Sequence, residues 1–212
     1  MGFLWVAVAL RTMLLAGGWI FASLMRNSGT QVEERTLRLI ASMAVSSLDN
    51  SAVGQLSGSE SDYGSRPFVA IRSQLKTILR ALPGARFVYL MGERDGVVFF
   101  LADAEDENSR DYSPPGQTYP EASPALLRVF SSGAPYVEEP YRDRWVEWTS
   151  GLAAVKDQAT GKVIAVLGID IPANQWRAQI DGYRVYGFAI ECMIVGLMTM
   201  VLYAQWREER GY

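Results

Sequence analysis

The chain has no histidine and one cysteine in 212 residues. Without histidine there is no imidazole base, no Ser-His-Asp or Cys-His triad, and few of the usual zinc sites. The lone Cys192 excludes an internal disulfide. There is no basic excess either. Lys and Arg number 20 against 23 Asp and Glu, a net charge of −3, which argues against nucleic acid as a partner. Glycine-rich phosphate loops are missing, and the glycines sit scattered in turns. What the chain does have is apolar residues, 49% hydrophobic against 20% charged, which supports a folded core and excludes a disordered tail.

Those apolar residues are unevenly spread. Phe3–Met25 is apolar apart from Arg11, and Gly187–Trp206 is apolar apart from Glu191. About 20 residues of helix cross a hydrocarbon core of about 30 Å, so both runs are long enough. A cleaved secretory signal is the other reading of the first run. Its charge follows eight apolar residues instead of leading them, and Ser23-Leu24-Met25 lacks a small-x-small exit, so an uncleaved anchor is favoured. Arg11 and Glu191 each lie near a span end and can reach the headgroups, which makes an intramembrane pair between them the lesser reading. Arg207 and Arg210 follow the second span and place the tail in the cytoplasm. The expected layout is a first span over 1–25, an extracytoplasmic domain over 26–182, a second span over 183–206 and a tail over 207–212. That is a two-pass membrane protein.

The central segment reads as one α+β domain. A polar break at Arg26–Thr30 precedes a helix to about Gln55, with Leu37, Ile40, Ala44 and Leu48 on one stripe. That stripe either packs on its own domain or forms the seam of a homodimer. Gly54–Gly64 is a loop, and Phe68, Ile71, Leu75, Ile78, Leu79 and Leu82 mark a second helix stopped by Pro83-Gly84. Strands Arg86–Gly92 and Val97–Ala102 flank Asp95-Gly96, a type I′ hairpin signal. Ser123-Pro124 opens a short helix to Ser132-Gly133. Strands resume at Pro135–Glu139, Trp145–Lys156 and Lys162–Ile171, and from Asn174 the chain turns helical into the second span. The prediction is a long N-terminal helix, a second helix and a five-stranded antiparallel sheet.

Few residues suggest chemistry. The run Asp103, Glu105, Asp106, Glu107 and Asn108 lacks the turn glycine and closing glutamate of a calcium loop, and reads as solvated. No carboxylate spacing specifies an acid/base pair, so no catalytic constellation, metal site or cofactor is expected. Asp170 is the odd residue, a carboxylate inside an apolar strand, sharing a face with Ile164 and Val166. A hairpin closing near Asp157–Lys162 sets it across from Trp148 to Ser150. Such a carboxylate beside indole suits the cationic or hydrogen-bonding end of a small ligand. A helix cap or a local salt bridge is the structural alternative. Trp145 and Trp148 divide in the same way between ligand clamp and core filling, and Tyr89, Tyr119, Arg144 and Asp103 complete the candidate set.

Several stretches resemble the Cache family of extracytoplasmic sensor domains, whose core is PAS-like. They are Phe87-Val88-Tyr89-Leu90-Met91-Gly92, Phe99-Phe100-Leu101-Ala102-Asp103 and Asp111-Tyr112-Ser113-Pro114-Pro115-Gly116-Gln117, then Asp143-Arg144-Trp145 with Trp148-Thr149-Ser150, and Thr160 to Asp170 followed by Trp176. The chain departs from the pattern at Val146 and Glu147, where glycine and threonine are expected. The resemblance implies an input domain of a sensor histidine kinase or diguanylate cyclase. It would bind an organic acid, amino acid or amine between the sheet and the loop from Asp103 to Glu121. Six residues follow Trp206, so the expectation is a piece of a longer receptor or a protein acting through a separate output partner. The competing expectation is an envelope scaffold that uses the same fold without a small molecule.

Overall fold

Asp95 and Gly96 both take positive φ, 54° and 80°, as a type I′ turn requires. They close a hairpin between β1 (Phe87–Arg94) and β2 (Val97–Asp103) in the computed structural model of the chain. The structure describes residues 2–142, 147–209 and 211, with most of their side chains. A second hairpin joins β5 (Glu147–Lys156) to β6 (Val163–Pro172). In its turn Asp157 accepts the Thr160 backbone N–H at 2.7 Å and hydroxyl at 2.6 Å, and Gly161 supplies a φ of 69°.

β1 pairs antiparallel with β6, which gives the order β2-β1-β6-β5-β3, where β3 is Tyr136–Val137. The two-residue strand β4 (Tyr141–Arg142), which the sequence did not suggest, also pairs with β5. The expected α+β fold, a five-stranded antiparallel sheet with long and second helices, is present. The outer edge of β2 is strapped by the returning loop: Phe100 N–H donates to Gln117 C=O at 2.9 Å and Tyr119 N–H to Val98 C=O at 2.8 Å.

The helices are α1 (Gly2–Ser46), α2 (Asn50–Val53), α3 (Arg66–Ala81), α4 (Pro124–Ser132) and α5 (Ala173–Glu209). Ser65 and Ser123 cap α3 and α4 by accepting the N–H groups of Phe68 and Leu126 at 3.3 and 2.9 Å. Two expectations are corrected. Arg26–Thr30 does not break α1, because Thr30 returns its hydroxyl to Arg26 C=O at 3.1 Å within the helix. α1 stops at Ser46 short of Gln55, because Asp49 accepts the N–H groups of Ser51 and Ala52 and starts α2.

The chain divides into two units, residues 34–176 and residues 1–33 with 177–212. In the first, side-chain alternation gives the sheet two faces. Leu37, Ala41, Ala44 and Leu48 of α1 are buried, with Leu37 seated on Gly151, where a Cβ would meet it at 2.7 Å. The stripe therefore packs on its own domain, while Leu39 and Met43 of α1 are exposed. Ile71 and Leu75 of α3 are fully buried, contributing about 1.5–3 kcal/mol each. The opposite sheet face carries Phe87, Tyr89, Met91, Trp148, Leu152 and Val166, packed with Leu126 and Val129 of α4.

In the second unit, α1 and α5 meet through small residues. Ala22 is fully buried and touches Gly187, and Gly29 lies against the Tyr183 ring. Arg26 pairs with Asp181 at 3.2 Å, and the Tyr183 hydroxyl donates to Glu33 at 3.0 Å. Among the described residues one helix, α5, is long and apolar enough to cross a membrane, over Ala173–Val201. The expected span Phe3–Met25 begins with residues 3–11, whose side chains lie outside those described.

Candidate functional site

Gly168 decides where Tyr89 lies. A Cβ at position 168 would overlap the Tyr89 ring, so only glycine lets that ring cross from β1 over β6. Its hydroxyl then donates to Asp170 Oδ1 at 2.9 Å. From the other side Ser150, the Cα partner of Asp170 on β5, donates to the same oxygen at 2.6 Å. Asp170 is 4% exposed and Ser150 fully buried. A carboxylate that deep is tolerated only with donors around it, and two hydroxyls supply them. Asp170 thus faces the Trp148–Ser150 stretch, as the hairpin spacing implied.

A second carboxylate shares the face. Tyr89 pairs with Asp103 on β2, and Phe87 with Asp170 on β6, so the antiparallel pleat turns all four side chains the same way. Asp103 is 3% exposed. Its Oδ1 accepts the Glu105 N–H and its Oδ2 the Ser113 N–H, both at 2.9 Å. Burial pushes its carboxyl up to about 6, and the Glu105 charge adds to the push. The two N–H bonds and the Arg72 guanidinium pull the other way without prevailing.

This corrects the reading of the acidic run as a solvated loop. Asp106, Glu107 and Asn108 are exposed, but Asp103 is buried and the loop is clasped by two arginines. Arg72 donates to the backbone carbonyls of Asp103 at 3.0 Å and Glu105 at 2.7 Å, and pairs with Glu107. Arg86, its guanidinium 4.1 Å from the centroid of the Phe87 ring, reaches Glu105 at 2.5 Å and Asp111 at 2.9 Å. A loop rich in carboxylates stays ordered because cations from α3 and from the start of β1 neutralise it. Among the described residues no three acidic or thiol side chains are placed to hold a metal ion.

Between this loop and the sheet lies a cavity lined by Phe87, Tyr89, Met91, Phe100, Asp103, Asp111, Ser113, Tyr119 and Asp170. Its empty space is about 320 Å³ with the mouth included, so narrowly divided by side chains that it has room for little beyond a water. The walls are aromatic. Tyr89 meets Phe100 edge to face at 5.6 Å, and Phe100 meets Tyr119 at 5.8 Å.

Of the residues singled out from the sequence, Asp170, Tyr89, Tyr119 and Asp103 line this cavity, and Ser150 supports Asp170 from behind. Trp148 is 5% exposed and braces Phe87 edge-on at 5.2 Å, so it backs the wall. Arg144 and Trp145 lie outside the described residues. Sequence reasoning missed Phe87, Met91, Phe100, Asp111 and Ser113. Phe87 and Met91 were within reach of the same alternation that marks Tyr89, whereas the loop residues gave no periodic signal.

No protein-family model matches the sequence, and no curated protein matches it. Solved structures do. The sensory domain of the Campylobacter jejuni chemoreceptor Tlp3 (CcmL) aligns with a TM-score of 0.51 at 16% identity, covering 81% of this chain and 66% of that one. The chain shares its fold with that domain. The Tlp3 ligand-binding domain in complex with L-valine gives a TM-score of 0.50 at 16% identity, over 82% of this chain. The chain spans 65% of that domain's length. The ligand-binding domain of the Pseudomonas aeruginosa PAO1 amino acid chemoreceptor PctC, in complex with GABA, is a more distant likeness, with a TM-score of 0.47 at 15% identity over 80% of this chain and 68% of that one. The expected α+β fold stands on the two Tlp3 likenesses.

Proposed function

We propose that the chain is a membrane-anchored, non-enzymatic input module that senses a small molecule outside the cell. One observation carries this reading: two buried carboxylates, Asp170 and Asp103, line a single aromatic-walled cavity on the sheet face. Carboxylates ringed by aromatic faces suit an ammonium group, which favours an amine or amino acid over a simple organic acid. The L-valine bound by the Tlp3 domain is in keeping with that class.

In this reading residues 1–25 and 183–206 span the bacterial inner membrane, 26–182 form the extracytoplasmic sensor, and 207–212 are cytoplasmic. Two copies form a homodimer, for which the exposed Leu39 and Met43 of α1 offer a surface. A histidine kinase or diguanylate cyclase, fused or separate, takes the output. β6, which carries Asp170, ends at Pro172, and α5 starts at Ala173, so a ligand that repositions Asp170 acts on the strand leading into α5. It shifts the balance of states only by its differential affinity for them.

Thermal melts of the full chain in detergent, against a panel of amino acids, amines and organic acids, test the proposal. A ligand at about 100 times its Kd stabilises by about 2.7 kcal/mol. A rise with an amine-bearing compound that disappears in Asp170→Asn supports the reading, and a flat response across the panel overturns it. The second reading, an envelope scaffold without a small molecule, is favoured by the tightness of the cavity. The flat response is its expected result.

A further inference from the structure

We infer that the cavity between the sheet and its covering loop takes an unbranched diamine, one ammonium held by Asp170 and the other by Asp103. The inference rests on the small-molecule reading and deepens it, because it fixes the number of charges on the ligand and their spacing.

The sheet register sets the two carboxylates apart. β1 lies between β6 and β2, so Asp170 and Asp103 are separated by two strand spacings, about 10 Å. Asp170 stands level with Phe87 and Asp103 level with Tyr89, an offset of about 7 Å along the strands. Their Cα atoms are therefore about 12 Å apart, and the pleat turns both side chains to the same face. A single ammonium hydrogen-bonds over about 3 Å, so it bridges acceptors no more than about 6 Å apart. One ammonium cannot serve both. Two can: with about 3 Å given to a bond at each end, about 6 Å remains between the nitrogens, the length of a chain of about four methylenes.

The space between the carboxylates suits such a chain. Phe87 and Tyr89 of β1 floor it, and Phe100 and Tyr119 add to its walls. Aromatic faces attract the ammonium ends and give the methylenes apolar contact. Asp103 has capacity for a ligand, since its oxygens take two backbone N–H bonds and a carboxylate offers about four acceptor sites. Asp111, the third carboxylate on the lining, is already paired with Arg86 at 2.9 Å. The narrowness of the cavity acts as a filter: a straight chain displaces the walls least, and a branched side chain most.

Calorimetry on the full chain in detergent tests this at about pH 8, above the value of about 6 at which Asp103 releases its proton. The probes are putrescine, a four-carbon diamine; ethylenediamine, its two-carbon counterpart; and butylamine, which has one charge. Putrescine should bind at least about tenfold tighter than either of the others. In Asp103→Asn its preference over butylamine should fall to about one, with a cooperative melt of the same sample to show that the variant is folded. Should the variant not melt cooperatively, the native-chain ratios alone decide. Putrescine binding no tighter than butylamine or ethylenediamine overturns the inference. So does a preference that Asp103→Asn retains, or a response to amino acids with none to the three amines. Those results leave the small-molecule reading standing, whereas no binding by any amine, amino acid or organic acid sinks that reading itself.

Discussion

Asp103→Asn should erase a gain in stability that the native chain makes on the acid side of neutrality. The Asp103 carboxyl titrates at about 6 in the folded chain against 3.8 for an unperturbed group, chiefly because it is buried. Between those two values the folded state holds a proton that the unfolded chain has released. Stability therefore falls as pH rises through this window and is level above it. The full difference is about 3 kcal/mol, of which about half is recovered on going from about pH 7.5 to about pH 5. At about 2–4 °C per kcal/mol for a domain of this size, the native chain should gain about 3–6 °C more over that interval than Asp103→Asn. Tryptophan-fluorescence melts of both chains in detergent across a pH series would read this. The lowered carboxyls Asp49, Asp106 and Asp157 are common to both chains and cancel. The N–H that the asparagine amide cannot accept, from Glu105 or Ser113, adds only a constant offset. Parallel profiles would refute the burial argument.

Asp170→Asn should leave the melting temperature within a few degrees of native, because the amide oxygen still accepts from Tyr89 and Ser150. Affinity for an amine ligand should fall at least about tenfold by calorimetry, close to the worth of one charge-assisted bond. Gly168→Ala drives a methyl into the Tyr89 ring, and should lower stability by about 1–3 kcal/mol in a denaturant titration. An unchanged midpoint would mean the ring is not held where it lies. Arg86→Ala removes the clasp on Glu105 and Asp111, so trypsin should cut after the exposed Arg110 faster than in the native chain. An equal rate would show that Arg72 alone orders the loop.

Much of the fold was legible because its signals are local. Asp95-Gly96 must take positive φ, Ser65 and Ser123 must cap, and the Asp157–Gly161 turn fixes the register that brings Ser150 opposite Asp170. What escaped depends on partners distant in the chain. Arg26–Thr30 looks like a break until Thr30 is seen to satisfy itself against Arg26. Asp103 reads as solvated until Arg72 and Arg86, from α3 and the start of β1, fold the loop over it. Phe87, Met91 and Phe100 line a cavity, but an apolar side chain on a strand gives the same pattern whether it walls a binding site or fills a core. β4 is two residues long and has no period to detect.

The margins of the sheet are partly covered among the described residues. The 116–119 strap lies along β2, and β3 and β4, two residues each, share the far side of β5. Short or covered borders deny a foreign strand the ladder it needs to add itself. Strand addition is thereby confined to the short uncovered stretches of β2 and β5, so crowding the domain at high concentration should seed few strand-by-strand polymers.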